Sequence, residues 1–408
     1  MTDLLTLQEP PKNKPVAPQW RAFLELGFRP LYLAGILWAA VSIGVWIFCP
    51  GLITGPMKGL AWHAHEMLWG FIATIAVGFL LTAGKNWTGT NPLHGRALAG
   101  LCGLWMLARL GYLMRGEWPF WGAAGAELLF FGIAAAAMLR VVHKGKNTRN
   151  YGVPWMLLGL GLTDALYLQA AHSGDYTLLI QRFNAGLLVM AAIALLVARR
   201  VIPFFAMRAV SGLTLPLQTR SGHLQLAACV LAIVSVALGL NQPQAVALAV
   251  AGALALYQVL SWKPWAVRHK PILWILYVGY AALGAGLLVA AANAAGAALR
   301  PAVHVHVIAL GGFSVLIIGM VTRTALGHLG RPLELDRSMR ASYYLMLLAI
   351  ALRLLALAPS PASTLMLELA GALWIAACGL YLWRFWPMMI RPRPDTGIPL
   401  RPAKSPAR

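Results

Sequence analysis

The sequence predicts an all-α integral membrane protein: twelve transmembrane helices in one bundle, with both termini cytoplasmic. Three observations carry that expectation. Of 408 residues, 60% are hydrophobic and only 11% are charged, far from the balance of a soluble domain. Apolar runs of about 20 residues, the length a helix needs to cross the hydrocarbon core, recur along the chain. Lysine and arginine gather on alternate connections, as they do in cytoplasmic loops.

The runs are bounded by Pro, Gly and basic residues. The first, 28–48, opens on GFRP and stops at Cys49-Pro50, and the second, 59–83, follows Lys58 and ends before Gly84-Lys85. The third covers 95–114 up to Arg115-Gly116, and the fourth, 120–142, lies between Pro119 and His143-Lys144. The fifth, 151–171, ends before Ser173-Gly174; the sixth, 177–200, closes on Arg199-Arg200. The next three are 222–240 after Arg220, 244–262 after Pro243, and 271–292 from Pro271. The tenth, 300–322, opens on Arg300-Pro301 and closes before Arg323. The last two, 339–358 and 362–386, flank Pro359 and Pro361. Residues 1–27 form a polar cytoplasmic segment without a signal-peptide core, 28–386 a single membrane domain, and 387–408, rich in Pro and Arg, a disordered cytoplasmic tail.

With the N-terminus inside, every Lys and Arg falls on the cytoplasmic side except Lys58, Arg109, Arg115, Arg182, Arg300 and Arg353. The net charge of +21 therefore sits where anionic lipid headgroups meet it, and the bilayer, not nucleic acid, is the expected partner. Cys49, Cys102, Cys229 and Cys378 are isolated, which argues against disulfides and cysteine metal sites.

The ten histidines divide by side. His63 and His65 lie one turn into the second run, and His304 and His306 one turn into the tenth, so all four share a depth near the outer face; His172 joins them. His94, His143, His223, His269 and His328 fall on the cytoplasmic side. An imidazole inside a span is costly and reads as functional. Residues two apart on a helix point about 200° apart, so one His-X-His cannot grip one ion. Each pair serves two directions, which suits a cofactor held between helices, and haem takes an axial imidazole on either face. The plain alternative is a snorkelling interfacial histidine beside Trp62 and Trp69. Gly70, Gly311 and Gly312 would let backbone or macrocycle approach, and Glu66, three residues after His63, would orient that ring.

The stretches WHAHEMLWGF, LTAGKNWTGTNPLHGRALA, RRVIPFF and GMVTRTALGHLGRPLEL resemble the signatures of the NnrS family, bacterial haem- and copper-containing membrane proteins of the nitric-oxide response. The resemblance runs from residue 27 to residue 335. It implies haem b, bound copper, an inner-membrane location and a role in nitrosative stress. The family's motifs fall on His63, His65, Glu66, Trp87, Arg200, Pro203, His306, Arg323, His328 and Arg331.

A second resemblance is architectural. Histidines on the second and tenth of twelve spans are similar to those of haem-copper oxidase and nitric oxide reductase catalytic subunits. It implies His65 or His63 paired with His306 on one haem, and His304 on a second. That superfamily's three-histidine copper site is missing, since the sixth run has no histidine and the seventh only His223. His63, His172 and His304 are left as copper ligands, because imidazole suits copper.

Intramembrane charges at matched depths predict three interhelical pairs: Arg109 with Glu127, Asp164 with Arg182, and Arg353 with Glu368. They neutralise one another structurally, or one arginine joins Arg300 on haem propionates. Arg323, His328 and Arg331 among glycines offer an anion or second-metal site, or a basic anchor. The expected function is a haem protein that binds or converts nitric oxide or moves electrons near the outer face, with quinol or cytochrome as a possible donor; a nitric-oxide-related oxidoreductase and a non-catalytic sensor both stay open. The alternative is a haem or copper transporter or assembly factor.

Overall fold

A computed structural model of the chain describes residues 17–394, and its regular structure is all helical. Each expected run is a helix. They are α1 (Phe28–Phe48), α2 (Leu60–Thr88), α3 (Gly95–Gly111), α4 (Glu117–Lys144), α5 (Gly152–Ser173), α6 (Tyr176–Ala209), α7 (Thr219–Ala237), α8 (Asn241–Ser261), α9 (Pro271–Ala294), α10 (Pro301–His328), α11 (Arg337–Leu355) and α12 (Ser363–Met389). Ten are long and apolar enough to cross a membrane. The two that fall short are α3, with 17 residues, and α5, whose apolar run is interrupted by Asp164.

Helix α6 continues to Ala209 through Pro203, past the stop expected at Arg200. A proline deletes one backbone donor, and the turns on either side still pair. Helix α12 runs past 386 to Met389, so the first three residues of the expected tail are helical. The expected terminal segments at 1–16 and 395–408 lie outside the described residues.

The bundle closes on itself. Gln19 N–H donates to Ile390 O at 2.8 Å, and Arg29 Nη1 reaches Met389 O at 2.9 Å and Arg391 O at 2.7 Å. Entry to α1 and exit from α12 therefore share one end of the bundle, here called the arginine end. The centre belongs to α2 and α6. Their most apolar stretches are 83% and 78% buried, against 33% for α11 and α12.

Two helices share an irregularity. Immediately after each His-X-His the backbone widens into a π-segment of eight residues, Glu66–Ala73 in α2 and Val307–Ser314 in α10. Hydroxyls stabilise the widened turns. Thr74 donates to Trp69 O at 3.2 Å and Gly70 O at 2.9 Å, and Ser314 donates to Ala309 O at 2.9 Å. Such segments concentrate at functional sites because they re-aim side chains without ending the helix.

Candidate functional site

At the end opposite the arginines, an apolar cavity of about 440 Å³ opens between α2, α6, α10 and α11, within the size range of small-molecule sites. His63, His304 and His306 line it, with Arg300 and Arg353. The second and tenth helices do bring their imidazoles together, but the four rings differ.

His63 faces the cavity, stacked on Trp46 at 4.9 Å between ring centroids and 10° between planes. Its buried Nδ1 has no hydrogen-bond partner among the described residues. His306 bonds Ala302 O through Nδ1 at 2.7 Å, which places the proton on Nδ1 and leaves the Nε2 lone pair free. His304 has neither nitrogen to spare. The Asn293 amide donates to its Nδ1 at 2.9 Å, and its Nε2 donates to Asn184 Oδ1 at 3.2 Å.

His65 points the other way, as the two-residue spacing demands. It is buried within a charged cluster, with Nδ1 2.9 Å from Glu66 Oε1 and Nε2 2.9 Å from Asp164 Oδ1 and 3.3 Å from Glu127 Oε2. Arg109 Nη1 meets Glu66 Oε2 at 2.8 Å, its Nη2 pairs with Glu127, and Trp38 donates to Glu66 at 2.5 Å. Five helices, α1 to α5, thus meet on three carboxylates, one guanidinium and one imidazole. His65 Nε2 and one oxygen each from Glu127 and Asp164 lie within 4.8 Å of one another, a donor set able to hold a metal ion.

Several expectations are corrected here. Glu66 orients His65 and not His63, because the widened backbone begins at Glu66 and swings its carboxylate across to the neighbouring ring. The Arg109–Glu127 pair forms, but Asp164 bonds His65 in place of Arg182, and Arg353 and Glu368 form no ion pair. Matched depth in a hairpin does not fix which way each side chain faces. Gly70 makes room for a guanidinium, since a Cβ there would lie 2.2 Å from Arg109 Nη1. At Gly312 a Cβ would meet Leu283 of α9 at 3.0 Å, so this glycine serves helix packing.

The remaining candidates are scattered. His172 pairs with Glu117 at 2.7 Å at the bundle's end, outside the cavity. Arg300 donates to Leu357 O at 3.0 Å. Arg323 and His328 lie at the arginine end, in a second cavity of about 1,410 Å³ that also exposes Arg199, Arg200 and His223. A small void of about 80 Å³ lies between the cavities. It shares Ile72 with the first and Tyr32, Phe79 and Val197 with the second. The sequence reading missed Asn184 and Asn293, two polar residues within apolar runs that only the fold places beside His304.

A search of curated proteins returns no match to this chain. The sequence profile of a family described as NnrS protein matches residues 22–393, beyond the stretch of motifs and through the last two helices.

Proposed function

The chain belongs to the NnrS family, as a multi-pass membrane protein of the nitric-oxide response, and from that premise we propose that it is a haem protein whose cofactor occupies the histidine-end cavity. One observation carries the reading. His63 and His306, from the two helices with π-segments, bring ring nitrogens free of other partners to one apolar space. The residues fit the group. His63 and His306 would hold the iron, and Arg300 and Arg353 would offer guanidinium groups to the propionates. Among the described residues Arg353 has no carboxylate partner.

Bound there, the group would supply electron transfer with both histidines in place, or nitric oxide binding with one of them released. The chain's own residues set the conditions. The backbone of Ala302 fixes the His306 tautomer, Trp46 holds the His63 ring plane, and the aliphatic walls keep water out and concentrate a neutral gas. In the same proposal, His65 Nε2, Glu127 and Asp164 would hold copper, while Glu66 behind the ring orients the imidazole. This set replaces His63, His172 and His304, which share no cluster.

The rest of the reading is a bacterial inner membrane, twelve crossings and cytoplasmic termini, with a quinol or cytochrome as electron donor. Leu107 of α3 and Leu162 of α5 are 61% and 62% exposed, which supports lipid-facing sides for both short helices. The small apolar void between the cavities favours a resident haem over passage of haem or a copper ion. Absorption and EPR spectra of the purified protein, with and without nitric oxide, test the proposal. His63→Ala and His306→Ala are expected to lose haem, and His304→Ala to keep it. Full haem content in both of the first two variants would overturn it.

A further inference from the structure

We infer that the arginine-end cavity binds an oxyanion of the phosphate class. Arg149, Arg199, Arg200, Arg208 and Arg323 contribute to its wall, and no Asp or Glu does. Among the described residues none of the five forms an ion pair. Their neighbours are neutral: Arg199 reaches Gln218 O at 3.2 Å, and Arg200 reaches Asn150 Oδ1 at 2.8 Å. Arg208 and Arg323 lie over Phe204 and Phe205.

Segregation of basic residues to one side of a membrane does not account for this. Arginines retained for that reason extend into the headgroups. Arg199 and Arg323 are each 5% exposed, on helices, and the Nε of each is buried without a partner. Buried guanidinium groups without carboxylates call for an anion. Planar forks of donors match the oxygens of phosphate, and aromatic stacking holds two of the forks in place.

The fold also makes space for one of them. A Cβ on Gly222 of α7 would lie 2.0 Å from Arg199 Nη1, so only glycine lets that guanidinium lie along α7. The same cavity includes Phe79, Trp87 and Leu196, an apolar wall that would accept acyl chains. A phospholipid headgroup and a free phosphate ion share the chemistry, and experiment separates them.

The full-length protein is delipidated in neutral detergent, and its melting is followed as inorganic phosphate is added at constant ionic strength. In parallel, it is melted in nanodiscs of phosphatidylcholine with and without phosphatidylglycerol. A shift with phosphate identifies a free anion, and a shift with phosphatidylglycerol alone identifies a lipid. Either shift should weaken about tenfold or more in Arg199→Gln/Arg323→Gln, and persist in the exposed control Arg268→Gln. Gly222→Ala should weaken it likewise by displacing Arg199 with every charge retained, which covers a failure of the double variant to fold. Absence of both shifts, or equal shifts in wild type and Gly222→Ala, would overturn the inference.

Discussion

Two residues of separation decide what each imidazole in α2 can do. His63 meets a cavity and His65 a knot of carboxylates, and substitutions at the two should therefore differ in kind. His65→Ala leaves Glu127 and Asp164 buried without their imidazole, and should cost about 3–5 kcal/mol of stability in a denaturant titration. His63→Ala should leave the melting of the haem-free protein nearly unchanged. Equal losses from both would remove the distinction drawn between the rings. Gly70→Ala should disrupt the same knot, because its methyl would press on both Arg109 and Glu66. At this scale the sequence announced the importance of His-X-His and the opposed directions of its rings. It did not announce which ring faces which side, since that depends on the rotation of α2 in the bundle, and packing sets it. The role of His304 was hidden for a related reason: one amide partner, Asn184, lies four helices back in α6, and the other, Asn293, faces it only across the turn from α9 into α10.

Among the helices, length and apolarity made every run legible, and most boundaries fall within a few residues of their expected places. The π-segments had no such signature. Their stabilising hydroxyls, Thr74 and Ser314, look like any small polar residue in a span until the widened turn is seen. Deleting Ile72 should return α2 to regular geometry and turn His63 by roughly 100° relative to the lower half of the helix. Haem absorbance should then be lost while circular dichroism still reports a helical protein. Retained haem would show that the widened turn does not aim the ring. The entry to α11 carries a different prediction. Burial pushes the pKa of Asp336 up, but hydrogen bonds from Ser338 and the Met339 N–H, with Arg384 alongside, outweigh it and hold the carboxyl below its usual range. A depressed value stabilises the fold above the unfolded pKa of about 3.9 and loses that contribution as pH falls through the folded value. Asp336→Ala should therefore cost about 1 kcal/mol at neutral pH, with the difference from wild type fading in acid.

Across the whole molecule, charge segregation foreshadowed a bundle whose two ends differ, one rich in arginine and the other in histidine. Tags placed at 55–58 and at 145–147 should react on opposite sides of the membrane, with 145–147 on the cytoplasmic side. Reaction of both from one side would undo the orientation. The cavities were not legible, because each arises where several helices fail to fill the space between them, a property of no single run. Copper assigned to the His65 cluster predicts that a chelator strips metal while the haem spectrum persists. Between the cavities, Ile72, Phe79, Ile317 and Met320 enclose a space of about 80 Å³ too oily to hold a continuous file of water. Uncharged diatomic molecules dissolve in such a plug, whereas hydronium and other ions do not. The two cavities are thus kept apart by a plug that a neutral gas can enter and an ion cannot.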